Sequence, residues 1–353
     1  MTVAAVATAA WSGGSRAQSA ALPPAPLTAF VDSLARAGFS GTVLVADTTR
    51  VRLLRAMGVA DQRTGRLITR RSRWRWASVS KQVTAALVMR EVDRGRIALD
   101  SPAVRYFPAF RGDGREAITV RQLLQHTSGL LNPDRGPTDA DGVPSVYRRR
   151  GVVGDAAAAR QCVGPLAAAP GTTFDYNNCD FLVLGALLRA VTGRSTADLA
   201  REFFGRSVAG PEAVRGYPGA TGGSTPFNLA TYGSAGAMTG TVEDLLAFDR
   251  ALLGPTLSTE ARATMWQGEP RFGYAALGAW SFDATLRGCH APLPIVERRG
   301  DIYGVQVRNV LLPTRGLVVI AFTNRGDVAF GEVWQQAGLL FNLLSLAACG
   351  GTD

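Results

Sequence analysis

The stretch Trp76-Ala77-Ser78-Val79-Ser80-Lys81-Gln82 holds the only lysine in a chain that carries 37 arginines. Arginine stays protonated at any working pH, whereas a lysine loses its proton when its surroundings lower its pKa. Ser78 lies three residues before Lys81, and residues three apart share one face of a helix. A serine and a lysine at this spacing also occur by chance on solvated helix faces. The single lysine and its apolar neighbours favour a catalytic pair instead.

The residues after Ser78 have the spacing of a buried helix that ends near Arg94-Gly95. Its apolar positions are Val79, Val83, Ala86, Leu87, Val88 and Val92. Ser78 is thereby predicted at or just before the first helical turn. There the positive end of the helix dipole favours an alkoxide and disfavours an ammonium. Both effects predict Ser78 as a nucleophile and Lys81 as the acceptor of its proton.

Composition limits the class of protein. A chain of 353 residues, 46% of them hydrophobic, can bury a large core as one domain or as two interlocked ones. The formal charge of +10 permits anionic partners, but the arginines are scattered, and no basic helix or aromatic-basic motif indicates nucleic-acid binding. No apolar run approaches the ~20 residues of a membrane span.

The first part of the chain, residues 1–22, is predicted to be a signal segment. Val3–Trp11 is short and apolar, and Ala17-Gln18-Ser19-Ala20-Ala21 resembles a small-residue cleavage site. The first basic residue, Arg16, follows the apolar stretch instead of preceding it, which departs from the usual pattern. Four cysteines suit an oxidising compartment. A periplasmic or secreted location is expected.

Histidines and cysteines do not form a metal-binding pattern. The chain has no C-x-x-C or H-E-x-x-H motif, and His126 and His290 are its only histidines. Neither a structural zinc site nor a Ser-His-Asp triad is expected. His126, in Gln125-His126-Thr127-Ser128-Gly129, is predicted to be a structural hydrogen-bonding residue at a helix end.

Strand-like patterns occur at both ends of the chain, around a middle that is mostly helical to about residue 250. The predicted helices and strands are Leu27–Ala37 (helix), Gly41–Ala46, Val51–Val59, a helix beginning at Ile118–Leu124, Gly273–Ser281, Leu293–Arg298, Gly304–Leu312, Gly316–Thr323 and Phe330–Ala347 (helix). The hairpin-like spacing of the late strands indicates an antiparallel sheet, so the fold class is α+β. We expect an α/β unit of residues 23–115 plus 251–353, with residues 116–250 inserted as a helical unit.

Three segments resemble the serine β-lactamase and penicillin-binding superfamily, in the order and at the separations of that family. The segments are 77–82 around Ser78, 118–130 (Ile-Thr-Val-Arg-Gln-Leu-Leu-Gln-His-Thr-Ser-Gly-Leu) and 170–178 (Pro-Gly-Thr-Thr-Phe-Asp-Tyr-Asn-Asn). The closest branch is that of class C β-lactamases, D-alanyl-D-alanine carboxypeptidases and related esterases. The resemblance spans roughly residues 28 to 345.

The run Tyr176-Asn177-Asn178 is similar to the Tyr-x-Asn element of the family. The resemblance implies that Tyr176 shares proton transfer with Lys81 and that Asn178 donates to the amide carbonyl of the substrate. Physical chemistry agrees for the tyrosine, because an ammonium lowers the pKa of a nearby phenol. The alternative is a core tyrosine beside a turn, since Asn-Asn suits turns.

The third element of the family, Lys-Thr-Gly or His-x-Gly on a strand, is replaced here by Arg298-Arg299-Gly300. Arg298 offers a cation that can bind a substrate carboxylate through two hydrogen bonds, but it cannot transfer a proton. The resemblance implies an oxyanion hole made by the backbone N–H groups of Ser78 and Asp301. An acidic side chain beside a developing anion is unhelpful unless it points away.

Two functions remain open. The first is an exported serine hydrolase that forms an acyl-enzyme on Ser78 and acts on D-alanyl peptides, β-lactams or small esters, with no cofactor implied. The second is a penicillin-binding or sensor-type protein that is acylated or occupied without turnover.

The cysteines add one further expectation. Cys162 and Cys179 bracket the loop that carries Tyr176, so we expect them to pair with each other. Cys289 and Cys349 then pair or remain free. Two buried free thiols are the alternative for the first pair.

Overall fold

The computed structural model describes residues 25–219 and 223–350. The predicted signal segment, residues 1–22, lies outside the described residues. The ten strands are β1 (Gly41–Asp47), β2 (Val51–Met57), β3 (Val59–Asp61), β4 (Arg66–Leu67), β5 (Trp74–Arg75), β6 (Thr239–Gly240), β7 (Trp280–Ala284), β8 (Leu293–Ile302), β9 (Val305–Leu312) and β10 (Leu317–Thr323).

The main sheet has six strands in the order β2-β1-β10-β9-β8-β7, and all its described pairings are antiparallel. Its centre joins the two ends of the chain, because β1 pairs with β10 from Gly41 opposite Thr323 to Asp47 opposite Leu317. A small ribbon of β5 and β6 ties the residues before Ser78 to the later helical part of the chain. The predicted antiparallel α+β fold is confirmed.

The helices cover both faces of this sheet. They are α1 (Ala25–Arg36), α2 (Val79–Asp93), α3 (Val120–Leu124), α4 (Gly154–Ala159), α5 (Asn178–Thr192), α6 (Thr196–Phe204), α7 (Gly233–Gly236), α8 (Val242–Leu253), α9 (Thr259–Met265) and α10 (Gly338–Cys349). None of these described helices is both long and apolar enough to cross a membrane.

Two hydrophobic cores lie on opposite faces of the sheet, and β10 shows how its sequence divides between them. Val318, Ile320 and Phe322 face the core that contains α2 and the other helices of the middle region. Leu317, Val319 and Ala321 face the core shared with α1 and α10. Successive side chains of a strand point to opposite faces, so a strand buried on both sides reads as a continuous apolar run.

Helix α2 is the central element of the first core. Every residue from Val79 to Glu91 is buried, including the polar side chains of Ser80, Lys81 and Gln82. A helix that is buried all round lies inside a large core. The predicted buried helix after Ser78 is therefore confirmed, and Lys81 is enclosed by protein.

Two predicted boundaries are wrong for the same physical reason. The strand expected at Gly273–Ser281 is mostly a turn, and β7 begins only at Trp280, because Gly273 and Tyr274 have φ of +63° and +62°. The helix expected from Phe330 begins at Gly338, since Gly331 and Gln336 have φ of +73° and +55°. Left-handed residues end regular strands and helices.

All four cysteines are paired. Cys162 bonds to Cys179 with their Cα atoms 5.4 Å apart, and Cys289 bonds to Cys349 with their Cα atoms 5.3 Å apart. The predicted first pair is confirmed, and the second pair is bonded instead of free. The first bridge ties the start of the loop that carries Tyr176, just after α4, to the first turn of α5.

Removing the Cys162–Cys179 bridge should destabilise the protein. The bridge closes a loop of 17 residues, and the chain-entropy model gives about 3 kcal/mol for a loop of this size. The double variant Cys162→Ala/Cys179→Ala, made under oxidising conditions, should lose that much free energy of unfolding in urea denaturation. The matched control is Cys289→Ala/Cys349→Ala, which keeps the Tyr176 loop closed. An unchanged unfolding midpoint in the first variant would contradict the prediction.

Candidate active site

The site begins where the chain turns from β5 into α2. Ala77 has a left-handed backbone with φ of +45°, a conformation that costs a non-glycine residue free energy and that clusters at functional sites. Ser78 follows as the N-cap residue of α2, and Val79 is its first helical residue. The turn places Ser78 at the N-terminal end of α2, where the residue lines a cleft. This is the position at or just before the first helical turn that the sequence predicts.

Lys81 lies under Ser78 and is fully buried. Its Nζ donates to Ser78 Oγ at 3.1 Å, to Asn178 Oδ1 at 2.6 Å and to the carbonyl oxygen of Ala235 at 3.0 Å. Burial lowers the pKa of Lys81 below its ordinary value, and Arg298 adds to this effect, while Tyr176 opposes it. A lysine with a lowered pKa next to a hydroxyl is suited to exchange a proton with it.

Tyr176 contacts the same hydroxyl from the other side. Its Oη is 2.6 Å from Ser78 Oγ and accepts a hydrogen bond from Arg298 Nη2 at 2.7 Å. Burial acts to raise the pKa of Tyr176, but the charges of Arg298 and Lys81 and its hydrogen bonds outweigh burial and leave the pKa below its ordinary value. Ser78 therefore has two candidate proton acceptors, a phenol and an amine.

Arg298 does not take the position expected for a residue that binds a substrate carboxylate. Its side chain is buried, and its Nε donates to the carbonyl oxygen of Ser78 at 2.9 Å in addition to the bond with Tyr176. Its guanidinium also lies over the Trp280 ring, 5.1 Å from the centroid. The geometry favours a role for Arg298 as a fixed charge that lowers the pKa of Tyr176. It does not favour a role as a hydrogen-bond donor to the substrate.

This role predicts a shift of the pH profile when the charge is removed. Arg298→Gln keeps a hydrogen-bond donor but loses the cation, so the pKa of Tyr176 should rise. If the phenolate accepts the serine proton, the rising limb of the acylation rate should move to higher pH by at least about one unit, because a charge at this distance exceeds the 1.36 kcal/mol of one pKa unit.

The matched control is Arg299→Gln. Arg299 is the next residue on β8, but it is bonded to Glu297 and Glu332 and not to the tyrosine. Acylation of Ser78 by a fluorophosphonate, measured from pH 5 to 10, would give both profiles. Equal profiles for the two variants would show that Arg298 does not set the pKa of Tyr176.

Gly300 packs directly against the turn that carries Ser78. A Cβ at this position would lie 2.7 Å from the carbonyl oxygen of Trp76 and 3.0 Å from the Cβ of Ala77. Real side chains do not fit at such distances from backbone atoms, so β8 approaches the nucleophile only because residue 300 is glycine. The predicted site position of Gly300 is a place of close backbone approach.

Alternation along β8 separates Asp301 from the face of the strand that contacts α2. Val296 and Ile302 belong to the core around α2, and Arg298 and Gly300 lie on the same face of the strand. Successive side chains of a strand point to opposite faces, so Asp301 lies on the other face, with Arg299. Burial raises the pKa of Asp301, and Arg308 opposes that rise. Its carboxylate is thus turned away from the place expected for a developing oxyanion, which leaves its backbone N–H for that role.

Asn178 is already engaged by protein groups. Its Oδ1 accepts from Lys81, and its Nδ2 donates to Asp134 Oδ1 at 3.1 Å and to Tyr147 Oη at 2.9 Å. These bonds orient the lysine, whereas the predicted donation to a substrate carbonyl would require Nδ2 to exchange one of its partners. The structure brings Asn178 into the cleft lining together with Ser78 and Tyr176.

His126 is buried beside the Tyr176 segment and does not line the cleft. Its Nδ1 is 2.9 Å from Asp180 Oδ2, and it accepts from the backbone N–H of Asn177 at 3.2 Å. Its carbonyl oxygen accepts from the backbone N–H of Asp175 at 2.8 Å. Burial lowers the pKa of His126 and raises that of Asp180. The predicted structural hydrogen bonding at a helix end agrees with these contacts, which fix the two neighbours of Tyr176.

The cleft has a volume of about 490 Å³ and contains side chains that the sequence did not single out. Its lining is Ala77, Ser78, Asp134, Gly142, Pro144, Tyr147, Tyr176, Asn178, Tyr232, Gly236, Asp301, Ile302, Tyr303 and Gly304. The unexpected polar members are Asp134, Tyr147, Tyr232 and Tyr303. The sequence offers a hint for only two of these residues. Asp134 follows the 118–130 segment closely in sequence, and Tyr303 follows Gly300 closely. Within residues 25–219 and 223–350, no group of three or more His, Cys, Asp or Glu is arranged to hold a metal ion.

Comparisons with known proteins identify relatives of this chain. Esterase EstB of Burkholderia gladioli is 36% identical over 167 residues, which cover 44% of this chain and 41% of EstB. The chain spans less than half the length of the curated relatives it matches.

Two solved structures share the fold over most of this chain. A D-stereospecific amidohydrolase from Streptomyces sp. has a TM-score of 0.68 at 23% identity and covers 93% of this chain and 99% of its own. A class C β-lactamase from Rhodobacter sphaeroides has a TM-score of 0.64 at 21% identity and covers 85% of this chain and 94% of its own. The profile of the Beta-lactamase family matches residues 27–340. The chain therefore belongs to the β-lactamase family.

Proposed function

We propose that this protein is a serine hydrolase that forms an acyl-enzyme on Ser78 and acts on small esters. The observation that carries the proposal is the position of Ser78 Oγ, 2.6 Å from Tyr176 Oη and 3.1 Å from Lys81 Nζ at the floor of the cleft. A nucleophile within hydrogen-bond reach of its proton acceptors is the arrangement that covalent catalysis requires.

Acylation then proceeds by transfer of one proton from Ser78 to Tyr176 and from Tyr176 to the leaving alcohol. Ser78 Oγ gives its proton to the Tyr176 phenolate and attacks the ester carbonyl carbon, whose oxygen becomes the oxyanion. The backbone N–H groups of Ser78 and Asp301 stabilise that oxyanion. The C–O bond to the leaving alcohol breaks, and Tyr176 returns the proton to the departing oxygen.

Deacylation repeats these steps with water as the nucleophile. Water gives a proton to Tyr176 and attacks the acyl carbon, and Ser78 recovers that proton as the acid leaves. Lys81 acts with Tyr176 as one proton-transfer unit in both steps. Burial lowers the pKa of Lys81, so its neutral amine can accept the proton that leaves Ser78.

The cleft supports an ester over a carboxylate-bearing substrate. A peptide that ends in D-alanine and a penicillin both present a carboxylate, and a cation normally binds it. The described lining of the cleft contains no arginine, lysine or histidine, and the donors Nε and Nη2 of Arg298 are bonded within the protein. The likeness to an esterase, at 36% identity over part of the chain, supports the same choice.

Three substrates followed in parallel test the proposal. The protein is incubated with a p-nitrophenyl ester, a penicillin and a D-Ala-D-Ala peptide, and intact mass and product release are measured over time. Continuous release of p-nitrophenol through a transient adduct on Ser78 is expected. A permanent adduct without release would support the sensor-type alternative, and faster turnover of the peptide or the penicillin would overturn the ester assignment.

We also propose that the protein works in the periplasm or outside the cell. Two disulfides among the described residues support this proposal, because disulfides persist in oxidising compartments.

A further inference from the structure

The described side chains that line the cleft include no cation, although the chain as a whole is basic. The protein has a formal charge of +10, yet the cleft lining includes carboxylic acids and four tyrosines but no arginine, lysine or histidine. Of the two acids, Asp301 lies on a face of β8 turned away from Ser78. Asp134 is thus the carboxylate of the lining that is available to a bound substrate, while the cations Lys81 and Arg298 are buried against Ser78 and Tyr176.

Asp134 is exposed to solvent but held in one position. Its carboxylate accepts hydrogen bonds from Tyr147 Oη and from Asn178 Nδ2, the latter at 3.1 Å to Oδ1 and 3.3 Å to Oδ2. No described arginine, lysine or histidine forms an ion pair with it. An ordered carboxylate without a cationic partner, open to a cleft, is a binding site for a ligand cation.

Aromatic rings surround this carboxylate. The rings of Tyr147 and Tyr232 stack with centroids 4.0 Å apart, and Tyr232 Oη donates to Tyr303 Oη at 3.3 Å. Burial raises the pKa of all three phenols, with Asp134 adding to the rise, so they stay neutral and offer π-electron density. Organic ammonium groups bind at such combinations of aromatic rings and a carboxylate.

The position of Tyr176 shows which part of a substrate meets Asp134. The leaving group must lie beside Tyr176 Oη, which returns its proton, and Tyr176 faces Arg298 and Trp280 on that side. Asp134 is connected to Ser78 through a different set of groups, because it accepts from Asn178, which in turn accepts from Lys81. We therefore place the acyl part of the substrate near Asp134.

We propose that the cleft selects esters whose acyl part carries an ammonium group, which pairs with Asp134 against the rings of Tyr147, Tyr232 and Tyr303. This inference rests on the proposed ester hydrolysis and names its substrate class. It gives the unpaired carboxylate of the cleft lining a ligand of opposite charge.

A pair of esters of equal shape tests the inference. The p-nitrophenyl esters of 4-(trimethylammonio)butanoate and 5,5-dimethylhexanoate differ by one nitrogen for carbon, so the charge is independent of pH. Their kcat/KM values, each divided by the rate of hydrolysis by hydroxide, should favour the cationic ester at least tenfold. Equal values would overturn the inference while leaving ester hydrolysis intact.

Three variants connect that preference to Asp134. Asp134→Asn should reduce the ratio of the two kcat/KM values at least fivefold, whereas Asp134→Glu should retain most of it. The ratio cancels any damage to the shared catalytic step. The control Asp100→Asn removes an equal charge beside the last turns of the 15-residue α2, roughly 20 Å from Ser78. An unchanged ratio in Asp134→Asn, or an equal loss in Asp100→Asn, would disprove the role of Asp134.

A binding measurement separates this inference from the proposed function. If a fluorophosphonate labels Ser78 but neither ester is hydrolysed, the ester proposal is wrong. The ammonium preference is then judged by protection: 4-(trimethylammonio)butanamide should slow labelling at a concentration at least tenfold lower than 5,5-dimethylhexanamide. Equal protection by the two amides would overturn it.

Discussion

Ser78→Ala should abolish covalent labelling of the protein by a fluorophosphonate while the fold survives. The substitution removes the oxygen that lies between Tyr176 and Lys81, and no other hydroxyl of the described chain is bonded to both groups. Alanine is a mild change at an N-cap residue whose side chain makes no capping bond. Intact mass should show no adduct, and the melting temperature should stay close to that of the wild type.

Ser80 supplies the control, because it lies two residues after Ser78 and directly before Lys81. It is fully buried, and its Oγ accepts from the backbone N–H of Met238 at 3.2 Å. The Ser80→Ala variant should therefore still be labelled at Ser78 by the fluorophosphonate. Peptide mapping that locates the adduct on Ser80 would refute the assignment of the nucleophile.

Lys81→Arg should slow the acylation of Ser78 by at least two orders of magnitude. Guanidinium has no accessible neutral form, whereas general-base assistance is worth about 10²–10⁴-fold. A merely charge-bearing role would tolerate the change, since arginine keeps the cation. Because Lys81 is fully buried and donates to three acceptors within 3.1 Å, the melting temperature must be measured beside the rate, so that lost chemistry is separated from lost packing.

Tyr176→Phe and the double variant complete this experiment. Residues that act as one proton-transfer unit give strongly non-additive losses, so the double variant should be little slower than the worse single one. If Lys81→Arg kept more than about a tenth of the wild-type rate, the base role of the lysine would fail and Tyr176 would remain as the main acceptor.

The arrangement of the site was predictable where it depends on local spacing. Ser78 and Lys81 are neighbours on one helix, so the spacing of two residues and the apolar period after them sufficed. Tyr176 required the family resemblance, because 98 residues separate it from Ser78 in sequence. These three residues meet at one point in the structure, as the resemblance implied.

The environment of Arg298 was not predictable from its position. The sequence pattern predicted a strand at Arg298, but the burial of Arg298 and its hydrogen bond to Tyr176 depend on how the strand packs against α2. The same holds for Asp134, whose partners come from separate segments. Long-range packing has no local signature in one sequence.

Fold prediction failed mainly at helix and strand ends. The turn before β7 contains apolar residues that resemble a strand, and only the left-handed Gly273 and Tyr274 reveal the turn. The division into units 23–115 plus 251–353 and 116–250 stays a prediction, although the main sheet draws its strands from residues 41–57 and 280–323.

The pairing of β1 with β10 has a consequence for biosynthesis. Leu317 lies 270 residues after its partner Asp47, so β1 keeps one open edge until almost the whole chain has been made. At a synthesis rate of about 5–20 residues per second, that edge waits about 14 to 54 seconds. Contacts of such long separation form late and slowly. The central pairing of the sheet is therefore completed only near the end of synthesis, and a ribosome-stalled fragment that ends before β10 should lack the completed sheet.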